Sequence, residues 1–75
     1  MIFPSKLFTY KESILSKLPS ALIELEKGPI SPKDLYKKML PDIAGVVEYM
    51  DLLDCLYALN KITYDEEQEV LIYVR

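Results

Sequence analysis

The sequence predicts a mainly α-helical domain that closes with a C-terminal β-hairpin, which is an α+β fold class. Apolar residues recur at helical spacing between residues 11 and 59, and prolines and a glycine divide this stretch into separate helices. The last fifteen residues are rich in β-branched and aromatic side chains. A chain of 75 residues has room for one small domain, which is expected to span residues 1–75.

The first helix is expected over residues 11–26, before Gly28 and Pro29 end it. Its apolar residues at positions i, i+3, i+7 and i+10 are Leu15, Leu18, Leu22 and Leu25. Pro19 lies inside this pattern and cannot donate a helical hydrogen bond. The sequence therefore leaves open a kinked helix or a short first helix followed by a second that begins near Pro19.

Residues 1–9 are expected to form an extended N-terminal arm, because Pro4 is unfavourable within a regular helix and no helical spacing is visible. The apolar side chains of this arm are Ile2, Phe3, Leu7 and Phe8. The arm either packs on its own domain or binds a partner, and the sequence does not choose between these alternatives.

The second helix has a clear start signal. Ser31 suits the N-cap position, Pro32 the first helical position, and Asp34 adds a carboxylate in the first turn. Pro41 is expected to end this helix, and Ile30, just before it, is a candidate for a short first strand.

The third helix is expected to run over residues 42–59 with Asp42 as its N-cap. One apolar stripe contains Ile43, Val46, Val47, Met50, Leu53 and Tyr57, and it is widened by Tyr49, Leu52, Leu56 and Leu59. An apolar arc wider than half the helix exceeds what a surface helix of a small domain needs. We therefore expect a partner to cover part of it, with Tyr49, Leu52 and Leu56 as candidate contact residues beside the arm.

Asp54 falls inside this apolar arc, where a charge is costly unless it is paired or hydrogen-bonded. Lys61, a backbone amide of the hairpin or a tyrosine hydroxyl could satisfy it. The favoured interpretation is structural, in which Asp54 fixes how the hairpin docks on the helix. An ion pair with a partner is the alternative.

Asn60 suits the left-handed conformation that ends a helix, and residues 61–64 and 70–74 are expected to be strands around an acidic turn. Helix, short strand, helix, helix, strand and strand is the order of elements in a winged-helix domain, with three helices and a wing. Many such domains bind DNA, but the predicted third helix has no basic residue before Lys61 and the turn is acidic. Net charge is +3 over residues 1–40 and −6 over residues 41–75.

The composition offers no chemistry for catalysis. The chain has no histidine, a single cysteine, Cys55, and only two glycines, so we expect no catalytic, metal or cofactor site. Neither a secretory signal nor a membrane-spanning run is visible, and a cytoplasmic protein is expected.

Three segments carry a family resemblance. They are Pro4-Ser5-Lys6, Ser13-Ile14-Leu15 and above all LDCLYALNKI over residues 53–62, followed by a closing hydrophobic strand. In them the chain resembles the small middle components of bacterial ABC-three-component systems, of which Lamassu-type antiphage defence is the best-known case. The resemblance implies a winged-helix accessory subunit that works with an SMC- or Rad50-like ATPase and an effector, commonly a nuclease. It implies no catalytic residue.

Composition and resemblance together predict a non-catalytic interaction subunit that bridges the ATPase and the effector. The alternative is a winged-helix DNA-binding protein or transcriptional regulator, in which Lys33, Lys37 and Lys38 would contact phosphates. A solvated lysine face is the more common reason for such a cluster. An obligate homodimer would also bury the surplus apolar surface.

Overall fold

A computed structural model describes residues 4–75, with side chains from Thr9 onward. Its elements, in chain order, are α1 (Pro4–Ser16), α2 (Leu18–Glu26), α3 (Pro32–Met39), a short 3-10 helix (Leu40–Asp42), α4 (Val46–Ala58), β1 (Ile62–Asp65) and β2 (Val70–Tyr73). The fold is mostly helical with a C-terminal antiparallel hairpin, so the predicted α+β class is confirmed.

The N-terminal region differs from the prediction, because α1 begins at Pro4 and residues 4–9 are helical rather than extended. Proline is tolerated in the first turn of a helix, where its missing N–H would have had no partner. The candidate contact residues Ile2 and Phe3 lie outside the described residues. Leu7 and Phe8 lie within α1, but their side chains are also outside the described part of the chain.

Lys17 separates α1 from α2, so the second of the two alternatives for this region is correct. The backbone N–H of Lys17 donates to the carbonyl of Ile14 at 3.1 Å, and Pro19 follows in the first turn of α2. The described residues therefore contain four α-helices where three were predicted.

The predicted start of α3 is confirmed. Ser31 is the N-cap, and its hydroxyl oxygen accepts a hydrogen bond from the backbone N–H of Asp34 at 3.1 Å. Pro32 is the first helical residue. Ile30 also acts as a minimal strand, since its N–H and carbonyl pair with those of Leu71 in β2 at 3.1 and 2.7 Å.

Helix α4 begins at Val46, later than predicted, and Asp42 ends the 3-10 helix instead of capping α4. Gly45 occupies the N-cap, a position that glycine accepts well, and its carbonyl accepts the N–H of Tyr49 at 3.0 Å. At the other end Asn60 has a φ of 57°. This left-handed residue ends the helix as predicted, and the N–H groups of Asn60 and Lys61 donate to the last carbonyls of α4.

The hairpin pairs Ile62 with Tyr73 and Asp65 with Val70 at its two ends. In the turn, a carboxylate oxygen of Asp65 accepts the backbone N–H of Glu67 at 2.9 Å, which stabilises the reversal of the chain. The hairpin lies against α2 and α4.

One hydrophobic core lies between the helices and the hairpin. Its buried residues are Ile14, Ala21, Leu25, Leu35, Met39, Ile43, Tyr49, Leu52, Leu53, Leu56, Ile62 and Leu71. The prediction that Tyr49, Leu52 and Leu56 contact a partner is therefore wrong, since their exposed fractions are 4%, 0% and 0%. They lie on the side of α4 that packs into its own domain, where removal from water stabilises the fold.

A candidate interaction surface on helix α4

The side of α4 that points away from the core is also largely apolar. Four residues on it are exposed, Val46 by 58%, Val47 by 71%, Met50 by 52% and Tyr57 by 44%. Together with Asp54 they occupy an arc of about 100° on a helix with 3.6 residues per turn. We call these five residues the outer face of α4.

The outer face reverses the expected orientation of this helix. In the apolar stripe that was not assigned to a partner, Ile43 and Leu53 are buried, whereas Val46, Val47, Met50 and Tyr57 are exposed. The sequence did predict more apolar surface on this helix than the domain covers. The side on which that surplus lies is opposite to the predicted one.

Asp54 is the one charged residue on the outer face, and its side chain is exposed. It lies four residues after Met50 and three before Tyr57. An apolar side chain therefore lies about one helical turn before Asp54 and another about one turn after it. Within residues 9–75 it has no hydrogen bond or ion pair, and the Lys61 side chain is exposed as well.

Asp54 therefore does not dock the hairpin, and that prediction is wrong. The connection to β1 is made by the backbone of Lys61 instead. Its N–H donates to the carbonyl of Leu56 at 2.9 Å, and its carbonyl accepts the N–H of Val74 at 2.8 Å. Main-chain groups already satisfy this junction, so the Asp54 carboxylate is left in solvent.

The other two carboxylates of α4 face α1 and are both engaged. The Tyr10 hydroxyl donates a hydrogen bond to Asp51, and the ammonium of Lys17 forms an ion pair with Glu48. The hydrogen bond to the Asp51 carboxylate raises the pKa of Tyr10 above its ordinary value. These contacts attach α1, through Tyr10, and the junction between α1 and α2, through Lys17, to one edge of α4, and they leave the outer face exposed.

A shallow groove extends the outer face at the beginning of α4. It has a volume of about 340 Å³, and its walls include Tyr10 of α1 together with Gly45, Val46 and Val47. A second groove of about 400 Å³ lies between α1 and α4, where Leu15 and the half-buried thiol of Cys55 form part of its wall. Both grooves are open to solvent and mostly apolar.

A second surface has the opposite character. Lys33, Lys37 and Lys38 are exposed on α3, and Lys37 and Lys38 lie in its last turn, where positive charge is favourable. The hairpin turn carries exposed Glu66, Glu67 and Glu69. The uneven charge seen in the sequence therefore becomes a lysine surface on α3 and acidic surfaces on the C-terminal half.

No group of three or more potential metal-ligating acids, cysteines or histidines comes together in the described part of the chain. Over the same part, none of the helices combines the length and the hydrophobicity that a membrane span requires.

The outer face could have been recognised from one signal in the sequence. Asp54 falls within the stripe formed by Val47, Met50 and Tyr57, and an unpaired charge marks the solvent side of a helix. No charged residue of α4 falls inside the arc that Tyr49, Leu52 and Leu56 occupy on the helix. The position of the charge was thus a better guide than the number of apolar residues.

The fold and this surface define a small α+β domain that exposes an apolar helix face, a feature typical of proteins that bind other proteins. The chain belongs to the family described as ABC-three component (ABC-3C) system Middle Component 7, whose model matches residues 3–71. The resemblance to middle components of these systems is thereby confirmed, and membership implies partner subunits. Searches of curated proteins and of solved structures gave no match.

Proposed function

We propose that this protein is a non-catalytic, cytoplasmic winged-helix subunit that bridges an SMC-like ATPase and an effector, such as a nuclease, in an antiphage defence complex of the Lamassu type. The observation that carries the proposal is the outer face of α4. It is apolar with one acidic residue, and it is exposed on a member of a multi-component family.

The winged-helix part of the proposal is supported by topology. Helices α2, α3 and α4 and strands β1 and β2 follow one another in the order expected of this fold, with Ile30 between α2 and α3. Ile30 pairs with Leu71 of β2, which adds a minimal third strand to the hairpin. Helix α1 precedes this set as an extra element.

In a winged-helix DNA reader, α4 would be the helix that enters the major groove, with Lys and Arg side chains contacting phosphates. Helix α4 contains no lysine or arginine, and its charged residues are Glu48, Asp51 and Asp54. A helix of this composition repels the DNA backbone, whereas its exposed Val47 and Met50 fit an apolar protein surface.

The bridging role is supported by the two surfaces of unlike chemistry. The outer face of α4 is apolar and acidic, and the exposed side of α3 carries Lys33, Lys37 and Lys38. One chain can therefore bind two partners of different character at once. The identity of the ATPase and of the effector comes from the family resemblance.

Co-expression with the ATPase and effector components of the same system tests the proposal. The tagged wild-type chain is expected to co-purify with at least one of them, and Val47→Glu or Met50→Glu is expected to prevent this. Ile23→Glu is the matched control, because Ile23 is 58% exposed but lies on α2. Failure of the wild-type chain to capture either component would refute the proposed function.

The lysines of α3 support a second candidate, a winged-helix DNA-binding protein or transcriptional regulator. It predicts DNA binding that weakens steeply with salt and is lost when Lys33, Lys37 and Lys38 are replaced by Glu. A gel shift at low salt with a mixed-sequence duplex measures this. Absence of a shifted band removes the candidate.

A further inference from the structure

Asp54 places a single carboxylate in the middle of an exposed apolar helix face. We propose that the outer face of α4 binds an amphipathic helix of a partner protein, and that this helix places an Arg or Lys side chain on Asp54 between two apolar side chains. The inference rests on the proposed function and specifies the chemistry of the partner.

The shape of the surface favours a helix as the partner. Val46, Met50 and Asp54 follow one another at intervals of four residues and form a ridge along α4. From Val46 to Tyr57 the face is about 16 Å long, which matches three turns of a second helix. Ridges of this kind pack into the groove between the side-chain rows of another helix.

The charge of Asp54 defines what that helix must carry. Any apolar partner that covers Val47, Met50 and Tyr57 also removes Asp54 from water, and a buried carboxylate is costly unless a counter-charge reaches it. Helix α4 has no cation of its own to offer. Within residues 9–75 no other cation pairs with Asp54 either, so we infer that the partner supplies the compensating charge.

The surrounding charge favours a basic partner as well. Residues 41–75 carry a net charge of −6, and Asp65 with the hairpin turn contributes four of their acidic residues. A field of this sign attracts a cationic helix before contact and disfavours an acidic one.

Helix α3 of a second copy of this chain, which carries the lysines, fits the outer face of α4 less well than such a partner helix. Leu35 and Met39 of α3 are 0% and 1% exposed, so within the helix the lysines of α3 have no exposed apolar stripe beside them, and the exposed Leu40 lies past its last residue. The apolar and cationic groups that the outer face requires do not occur together on that helix.

The first test identifies the occupant directly. The full chain carrying p-benzoylphenylalanine in place of Val47 is co-expressed with the ATPase and effector components, irradiated, and analysed by mass spectrometry. The expected product is a cross-link to a peptide of either component that contains Arg or Lys with apolar residues three or four positions away. A cross-linked peptide without a cation, or one from a second copy of this chain, would overturn the inference.

The second test measures the charge pair by comparing co-purification of the captured component. Asp54→Lys is expected to weaken its binding at least about tenfold, because like charges would then meet in a desolvated interface. Glu66→Lys makes the same change in charge on an exposed residue of the hairpin turn and is expected to alter binding less than about threefold. Replacement of the partner's Arg or Lys by Glu is expected to restore its binding to the Asp54→Lys variant.

The two proposals fail in different ways. Loss of capture with Val47→Glu but not with Asp54→Lys would overturn the charge pair and leave the interaction surface standing. Capture that is insensitive to both substitutions would overturn the docking site on α4, while the subunit role would remain supported by the capture itself. No capture by the wild-type chain would remove both.

Discussion

The hydroxyl of Tyr49 donates a hydrogen bond to the backbone carbonyl of Pro32 at 2.6 Å, which joins the first half of α4 to the start of α3. The Tyr49 ring also contacts that of Tyr36, with ring centroids 5.0 Å apart. A residue that the sequence suggested as a partner contact is thus one of the connections that hold the two helices in place. Its role is structural, and it leaves the opposite side of α4 exposed.

The orientation of α4 can be tested by comparing two truncations. Leu52→Ala removes a fully buried side chain and is expected to lower the free energy of unfolding by about 2–5 kcal/mol. Val47→Ala shortens an exposed side chain and is expected to change the free energy of unfolding by less than about 0.5 kcal/mol. Urea denaturation followed by circular dichroism measures both values, and equal losses would contradict the described orientation.

Tyr49→Phe is expected to lower the free energy of unfolding by about 1–2 kcal/mol. The substitution keeps the ring but removes the hydroxyl that donates to the Pro32 carbonyl. Tyr57→Phe is the matched control, since Tyr57 is 44% exposed and its hydroxyl has no hydrogen-bond partner among residues 9–75. If the two variants unfold at the same urea concentration, the Tyr49 hydrogen bond has no stabilising role.

Alkaline pH provides an independent test of the same residue. Burial, with a smaller contribution from nearby Tyr57, raises the pKa of Tyr49 from the ordinary 10.0 to about 12. Below pH 10 the phenol is protonated in both states, so its contribution to stability is complete. Between pH 10 and 12 the unfolded chain loses the proton before the folded one, so the stability falls as the pH rises.

The advantage of the wild-type chain over Tyr49→Phe should therefore be constant up to about pH 9 and shrink as the pH rises above 10. Unfolding free energies of both proteins at pH 8, 9, 10 and 11 check this. The difference between the unfolding free energies of the two proteins cancels the contribution from titration of the other tyrosines. A difference that stays constant over the whole range would show that the Tyr49 phenol titrates alike in the folded and unfolded chains.

Ser31→Ala is expected to destabilise the domain by about 1 kcal/mol, because the N–H of Asp34 loses the oxygen that caps α3. Ser31→Asp should retain most of the stability, since a carboxylate oxygen also caps a helix. The two midpoints of urea unfolding are compared under the same conditions. A smaller loss for alanine than for aspartate would be inconsistent with a capping role for Ser31.

Features encoded by neighbouring residues could be predicted from the sequence. The cap at Ser31, the left-handed end of α4 at Asn60 and the C-terminal hairpin all depend on side chains a few positions apart, and all three are confirmed. The family resemblance rested on local motifs as well, and membership among middle components of ABC-three-component systems is confirmed.

The limits of such signals appear at the proline residues. Proline at position 4 was interpreted as a barrier to helix, whereas it begins α1. The same residue type favours the first turn and disfavours later ones, so its meaning depends on where the helix begins. Similarly, Asp42 has the chemistry of an N-cap, but Pro41 places it in a 3-10 helix and α4 starts beyond Gly45.

By itself, the sequence determined that α4 would be apolar over more of its circumference than one small domain can bury. Only the tertiary structure decided which side is inside, because both sides have similar hydrophobicity and differ mainly in what packs against them. Tyr49, Leu52 and Leu56 are enclosed by the domain's own core. Val47, Met50 and Tyr57 are left in solvent around the charge of Asp54, since burial there would have removed an unpaired carboxylate from water.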